Sequence, residues 1–245
     1  MKIAAGVKML EIPANVMGMP SIVYPTLIYD NETVILVDAG YPGQLGQIRA
    51  AIEDAGVPFV NLNKIIITHH DVDHIGSLSS ILSELPENVK VVAHEEEKPY
   101  IQGEKRPLKV AQLEVKLESL PVEMKAICEK LRAFYQNNTV SVDETVIDGE
   151  DLPWCGGITV IYTPGHTLGH ICLYLKQSKT LIAGDVLTVE GGRLVKTSDS
   201  ATFDIDLNIK SLKKLTEYDI ETVICYHGGL YKDNASQRIK ELAHS

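Results

Sequence analysis

Apolar positions along the chain follow two periods, one of about two residues and one of about 3.6. The runs SIVYPTLIYD (21–30) and ETVILVDAG (32–40) are rich in β-branched residues and meet at the turn-like DNE, which predicts a hairpin. In GQLGQIRAAIEDAG (43–56), Leu45, Ile48, Ile52 and Ala55 share one helical face, and Gly56 ends the run. KIIIT (64–68) is a short continuous apolar run of the kind buried on both faces. A helix is predicted from about Ile75 to Leu85 and a strand over VKVVAH (89–94). After residue 140 strands return in ITVIYTP, HICLYL, TLIAGD and ETVICYHGG, with the helix LNIKSLKKLTEYD between the last two and NASQRIKELAHS closing the chain.

The stretch between about 95 and 140 differs. EEEKPYIQGEKRP reads as a charged loop, and its EEEK run as a solvated surface. LKVAQLEVKLESL fits both periods and is taken as helix, whereas VEMKAICEKLRAFY sets Val122, Ala126, Ile127, Leu131 and Phe134 on one amphipathic stripe. No Gly/Ser-rich linker flanks it, so the expectation is one domain over 1–245 with a mainly helical insertion at about 95–140. That insertion is expected to form a lid or pocket wall, with a homodimer interface as its rival use.

Composition narrows the partners. The 245 residues are 44% hydrophobic and 23% charged, enough for one large core and not the profile of a disordered chain. A net charge of -10 argues against nucleic acid, whose backbone is bound through surplus Lys and Arg. Cys128, Cys155, Cys172 and Cys225 show no CxxC spacing, which is neither a zinc ribbon nor a disulfide framework. Lys8 and Glu11 interrupt any apolar leader, and no run suits a membrane span. The expected setting is a reducing cytoplasm, without membrane or nucleic acid, and with a small-molecule substrate.

Histidine is the informative residue, since only eight occur. Five stand at strand-to-turn junctions: His69 and His74 in THHDVDH, His166 in TPGH, His170 in TLGH and His227 in CYHGG. Asp38 ends VILVD and Asp185 ends LIAGD. Ligands at strand ends are preorganised by a rigid sheet, which is what a metal site needs.

In this order and spacing the motifs resemble those of the metallo-β-lactamase superfamily, whose metal motif H-x-H-x-D-H is followed by a TPGH histidine, a GD aspartate and a late histidine before glycine. The resemblance runs from VILVDAG through THHDVDHIG, TPGHTLGH and AGDVL to YHGG. It implies an α/β fold, a four-layer αβ/βα sandwich. It also implies that His69 and His166 bind a first metal, that Asp73, His74 and His227 bind a second, and that Asp185 bridges them. Asp73 would be a ligand and a proton acceptor, and Asp38 would support the site without touching metal.

One position departs from the pattern. The family's second histidine falls on Asp71, while His70 takes the variable place. Asp71 is therefore the expected ligand in register; the alternative is a first site weakened or lost. Flavodiiron members carry glutamate there, so oxygen ligation has precedent in the family. An added carboxylate shifts preference from zinc toward iron or manganese. Two divalent ions, Zn or Fe/Mn, would then face three carboxylates and one hydroxide.

His70 is expected at the rim, supporting the site, and His170 as a hydrogen-bonding partner of a carboxylate or a structural histidine. His94 and His244 are expected to be structural or solvated, and Tyr24, Tyr100 and Tyr226 are not distinguished. The resemblance implies a hydrolase in which a metal-bridged hydroxide attacks an ester, lactone, thioester or amide. The alternatives are an iron-dependent oxidoreductase or dioxygenase of the same fold, and a non-catalytic metal-binding module.

Overall fold

A computed structural model describes residues 1–16 and 18–244. Among them, one sheet has seven strands and another six. An early hairpin, β3 (Ile12–Val16) and β4 (Met19–Val23), stands apart from both. The first sheet runs β1 (Lys2–Ala4), β2 (Val7–Met9), β5 (Thr26–Tyr29), β6 (Val34–Val37), β7 (Lys64–Ile67), β8 (Lys90–His94) and β9 (Glu144–Val146). Strands β6 to β9 are parallel, so their carboxyl ends share one edge. The second sheet is β10 (Asp151–Leu152), β11 (Ile158–Tyr162), β12 (Ile171–Leu175), β13 (Thr180–Ile182), β16 (Thr222–Cys225) and β17 (Gly229–Tyr231). Another hairpin, β14 (Leu187–Glu190) with β15 (Arg193–Lys196), follows β13.

Alternation along the central strands produces the layers. Ile35, Val37, Ile66 and Val92 point inward and pack against Val160, Leu173, Ile182 and Ile224 of the other sheet. Their neighbours Leu36, Ile65, Ile67 and Val91 point outward, against Ile48 and Ile52 of α1 (Leu45–Asp54) and Leu78 and Ile81 of α3 (Leu78–Ser83). On the far side Ile161, Leu181 and Val223 meet Leu212 and Leu215 of α7 (Ile205–Leu215) and Ile239 and Leu242 of α8 (Ala235–Ala243). The result is helix, sheet, sheet, helix. Both faces of VILV and KIII are buried, which is why these runs are continuously apolar rather than alternating.

Several local expectations change. SIVYPTLIYD is two strands: Pro25, which has no N–H to give a ladder, separates β4 from β5, and β5 rather than β4 pairs with β6. The helix expected from Ile75 is two short pieces, α2 (Val72–Ile75) and α3. At the break, Gly76 packs so closely that a Cβ there would lie 2.4 Å from the Pro42 nitrogen. The segment 95–140 holds α4 (Lys98–Ile101), α5 (Leu108–Val115) and α6 (Val122–Asn137). Ile101 and Phe134 join it to the outer core of the first sheet. The buried stripe of α6 is Cys128 and Phe134 flanked by Ile127, Leu131 and Tyr135; Val122 and Ala126, placed on the stripe by their spacing, are exposed.

Candidate metal centre

The site lies where the two sheets expose strand ends on the same edge. Asp38 follows β6 and His69 follows β7, with Thr68 between Ile67 and His69. Asp73 and His74 sit in the single turn of α2. His166 and His170 lie on the β11–β12 loop, Asp185 follows β13, and His227 follows β16. Strand carboxyl ends thus set Asp38, His69, Asp185 and His227, while Asp73 and His74 are carried by the α2 turn and His166 and His170 by a loop between adjacent strands.

Asp185 is at the centre. Its Oδ2 lies 3.3 Å from His227 Nε2, 3.5 Å from His166 Nε2 and 3.9 Å from His69 Nε2, and its Oδ1 lies 3.3 Å from His74 Nε2. Asp73 Oδ2 is 3.2 Å from His227 Nε2 and 3.8 Å from His74 Nε2. Asp71 Oδ2 is 3.0 Å from His166 Nε2 and 3.5 Å from His69 Nε2. Two ligands of one ion, each about 2.1 Å from it, stand roughly 3–3.5 Å apart. The donors form three overlapping groups: His69, Asp71 and His166; His69, His74 and Asp185; and Asp73, His74 and His227.

The buried polar atoms fit such an ion. His69 Nε2, His74 Nε2 and Asp185 Oδ1 are buried without a hydrogen-bond partner, although two of them are only 3.3 Å apart. Buried polar atoms are normally paired, so orphans aimed at one point favour a cation there. Their far ends are anchored. Asp38 Oδ2 is 2.9 Å from His74 Nδ1, and Thr68 Oγ1 lies 3.1 Å from His69 Nδ1 while donating to Asp38. Each imidazole can thereby carry its proton on Nδ1 and turn the Nε2 lone pair to the centre. Asp38 itself adopts φ 65, unusual for a non-glycine residue.

The electrostatics point the same way. Burial opposes charge on Asp185, yet His227 and His74 hold its carboxyl well below the usual range. Burial likewise opposes protonation of His227, but Asp185 and Asp73 push it up to about 10. His69 is held well below the ordinary histidine value by burial and by His74. The carboxylates thus favour protons on His74 and His227 but not on His69.

A sequence model of the metallo-beta-lactamase superfamily matches residues 18–227. The chain belongs to that superfamily. Among its relatives, the probable metallo-hydrolase YflN of Bacillus subtilis is 29% identical over 215 residues, 80% of this chain and 76% of that one. The hydroxyacylglutathione hydrolase of Brucella ovis is 27% identical over 213 residues, covering 86% of this chain and 63% of its own. In fold, the metallo-beta-lactamase family protein TTHA1429 from Thermus thermophilus superposes with a TM-score of 0.74 at 23% identity, over 98% of this chain and 79% of that chain.

Against the usual superfamily pattern, the variable position behaves distinctively. Asp71 turns its carboxylate toward His69 and His166, whereas His70 turns away. His70 is not at a rim: it is buried, stacked on Tyr100 with centroids 4.4 Å apart, and bonded through both its backbone N–H and Nδ1 to Glu97. Glu97 corrects the reading of EEEK as a solvated run, since it is fully buried. Its second oxygen accepts from Thr167 Oγ1 at 2.5 Å and from the Gly169 N–H at 2.9 Å. One carboxylate thus ties the THHDVDH turn to the TPGHTLGH turn.

His170 supports the site through the backbone rather than a carboxylate, accepting the Asp185 N–H at 2.9 Å, with Nδ1 on Thr163. Burial and His166 lower it to about 3, so it stays neutral and able to accept. His94 stacks on Tyr162 and His244 bonds a backbone carbonyl at the chain end. Tyr226 packs on His74 and donates to the Asp73 carbonyl.

Three residues were not legible as site residues: Glu97, Tyr41 and Lys109. The Tyr41 phenol, pushed well above its usual range by burial and by Asp73 and Asp185, stays protonated. Lys109, from α5, brings Nζ to 2.6 Å from Asp71 Oδ2 and 2.9 Å from His166 Nε2. A niche beside it is walled by Leu108, Leu168 and Phe203. No helix among the described residues is long and apolar enough to cross a membrane.

Proposed function

We propose that this protein is a metal-dependent hydrolase of small esters, lactones, thioesters or amides. The observation that carries this reading is the Asp185 carboxylate within 3.9 Å of four histidine Nε2 atoms, two of them, on His69 and His74, buried without a hydrogen-bond partner. His69, Asp71 and His166 would hold one ion; Asp73, His74 and His227 would hold the other; Asp185 would serve both. Divalent ions held there supply a Lewis acid for the substrate oxygen and lower the pKa of water to give a nucleophile near neutral pH.

The protein's own groups do the rest. Asp38 and Thr68 hold the Nδ1 atoms of His74 and His69, so that each Nε2 faces the centre. Asp73, whose carboxylate faces His227 and His74, would be the group that takes a proton during attack. A relative named as a hydroxyacylglutathione hydrolase supports the thioester end of this range.

The test is a substrate panel on protein loaded separately with zinc, manganese and iron(II): an aryl ester, an acyl-homoserine lactone, an S-acyl thioester and a β-lactam. Turnover of at least one that stops on chelation and is absent in Asp185→Ala is expected. Turnover that survives chelation, or none with any loaded metal, would overturn the reading.

A further inference from the structure

The two halves of the centre differ by one lysine. Asp73 forms its ion pairs with His74 and His227 alone among the described residues. Asp71, by contrast, already has a cation: Lys109 Nζ lies 2.6 Å from its Oδ2 and 2.9 Å from His166 Nε2. We propose that Lys109 makes the two metal positions inequivalent. Its ammonium is the resident cation of the His69–Asp71–His166 position, and a divalent ion is held there only after displacing it. The Asp73–His74–Asp185–His227 position loads first. This inference rests on the metal-dependent reading above.

Competition for atoms is the first argument. The Nε2 lone pair of His166 can accept an N–H from Lys109 or ligate an ion, and one lone pair does not serve both. The Asp71 oxygen nearest His166 is also the oxygen on Lys109. The ammonium therefore occupies ligand atoms of the first position rather than its periphery.

Charge is the second argument. Asp71, Asp73 and Asp185 bring three negative charges to the donor groups. One divalent ion and one ammonium cancel them. A second divalent ion added beside the ammonium would leave a buried surplus of two positive charges, which like-charge repulsion opposes. Expelling the ammonium halves that surplus. Ion and lysine are therefore alternatives at this position, and binding the second ion must pay the free energy of breaking the Asp71–Lys109 pair.

Reach is the third. Lys109 is on a helix of the 95–140 segment, not on either sheet, and its side chain is 32% exposed. An ammonium on a flexible four-carbon stem can leave for solvent without moving the strands that carry the ligands. No corresponding route releases Asp185 or the histidines, whose side chains, His227 excepted, are at most 8% exposed in these pairs.

Equilibrium dialysis with elemental analysis, together with calorimetric titration of metal-stripped protein by zinc alone and by manganese alone, tests this without any substrate. Wild type is expected to bind one ion tightly and a second about 100-fold more weakly. Lys109→Met should tighten the second ion about tenfold or more while leaving the first unchanged. Lys109→Gln, similar in length and uncharged, should do the same, and it covers the case in which the methionine variant misfolds. Lys109→Arg should keep the wild-type pattern. Two equally tight ions in wild type, or a second-ion affinity unmoved in both neutral variants, would overturn the inference and leave the hydrolase reading standing. No ion bound by any of these proteins would overturn both.

Discussion

Replacing Glu97 by alanine should destabilise the protein and loosen its metal site together. The carboxylate is buried and accepts four hydrogen bonds, from the His70 N–H and Nδ1, the Thr167 hydroxyl and the Gly169 N–H. Each buried donor left without a partner costs about 1–3 kcal/mol. The four would share one cavity that water can enter, so their costs do not add in full. Breaking a buried charged pair by removing one partner costs about 3–5 kcal/mol, and about 4 kcal/mol is expected here. For a chain of this length that is a fall in melting temperature of about 8–16 °C. Glu97→Gln retains one acceptor and should cost about 1–2 kcal/mol. Urea and thermal unfolding, with metal affinity from chelator competition, read the two effects. Because His69 and His166 lie on the two turns that Glu97 joins, affinity should fall about tenfold or more in the alanine variant. A melting temperature within about 3 °C of wild type would refute the role of Glu97 as the tie.

Three further outcomes follow from particular contacts. Asp185→Ala removes the carboxylate that faces four histidines, so elemental analysis should find at least one metal equivalent lost and turnover abolished; unchanged metal content would refute a shared ligand. Gly184→Ala places a Cβ 2.5 Å from His170 Nε2 at φ +50, and it should cost about 2–4 kcal/mol in urea unfolding through left-handed strain and loss of the bond to the Asp185 N–H. A smaller loss would mean that His170 moves freely. Cys155 is partly exposed, but burial and Asp30 push its thiol up to about 12, and Cys128, Cys172 and Cys225 are buried. At pH 8 a native thiol of that pKa is about one part in ten thousand thiolate, partly offset by the greater nucleophilicity of that thiolate, so disulfide-exchange labelling should run roughly a hundredfold slower than in urea. One rapid native equivalent would contradict it.

The clustering of the candidate ligand positions was legible because each follows an apolar run that a sheet must bury. Strands β6, β7, β13 and β16 are marked by VILV, KIII, TLI and TVIC, and the next polar residues fall at one edge once the strands are stacked. The four layers were legible for the same reason, as strand and helix periods alternate through the chain. Glu97 was not legible. In EEEK nothing local separates it from Glu95 and Glu96; its burial comes from the turn after β8 lying against the Thr167–Gly169 backbone. Lys109 was hidden in another way. LKVAQLEV fixes a helix without fixing which face turns to the site, because that depends on how a segment outside both sheets docks. The β14–β15 hairpin was missed because TVEGGRLVK gives no more than a turn and two short, half-buried runs.

The departure at Asp71 and the presence of Lys109 are parts of one electrostatic arrangement. A histidine at position 71 would be a neutral ligand, and an ammonium facing it across His166 would have no negative partner. With aspartate there, the lysine has an oxygen at 2.6 Å, and the site gains one negative charge and one positive charge that solvent only partly screens. As a ligand the same carboxylate would be harder than imidazole, which would favour iron or manganese over zinc. The two effects oppose each other for the ion: the carboxylate strengthens its attraction, and the lysine already satisfies the carboxylate. Substituting Asp71 alone should therefore leave Lys109 unpaired near the histidines, whereas substituting Lys109 alone should leave Asp71 free to ligate. Position 71 cannot be read as a metal ligand independently of position 109, and the pair exchanged together, Asp71→His with Lys109→Met, is the change that should bring the first position closest to the usual superfamily pattern.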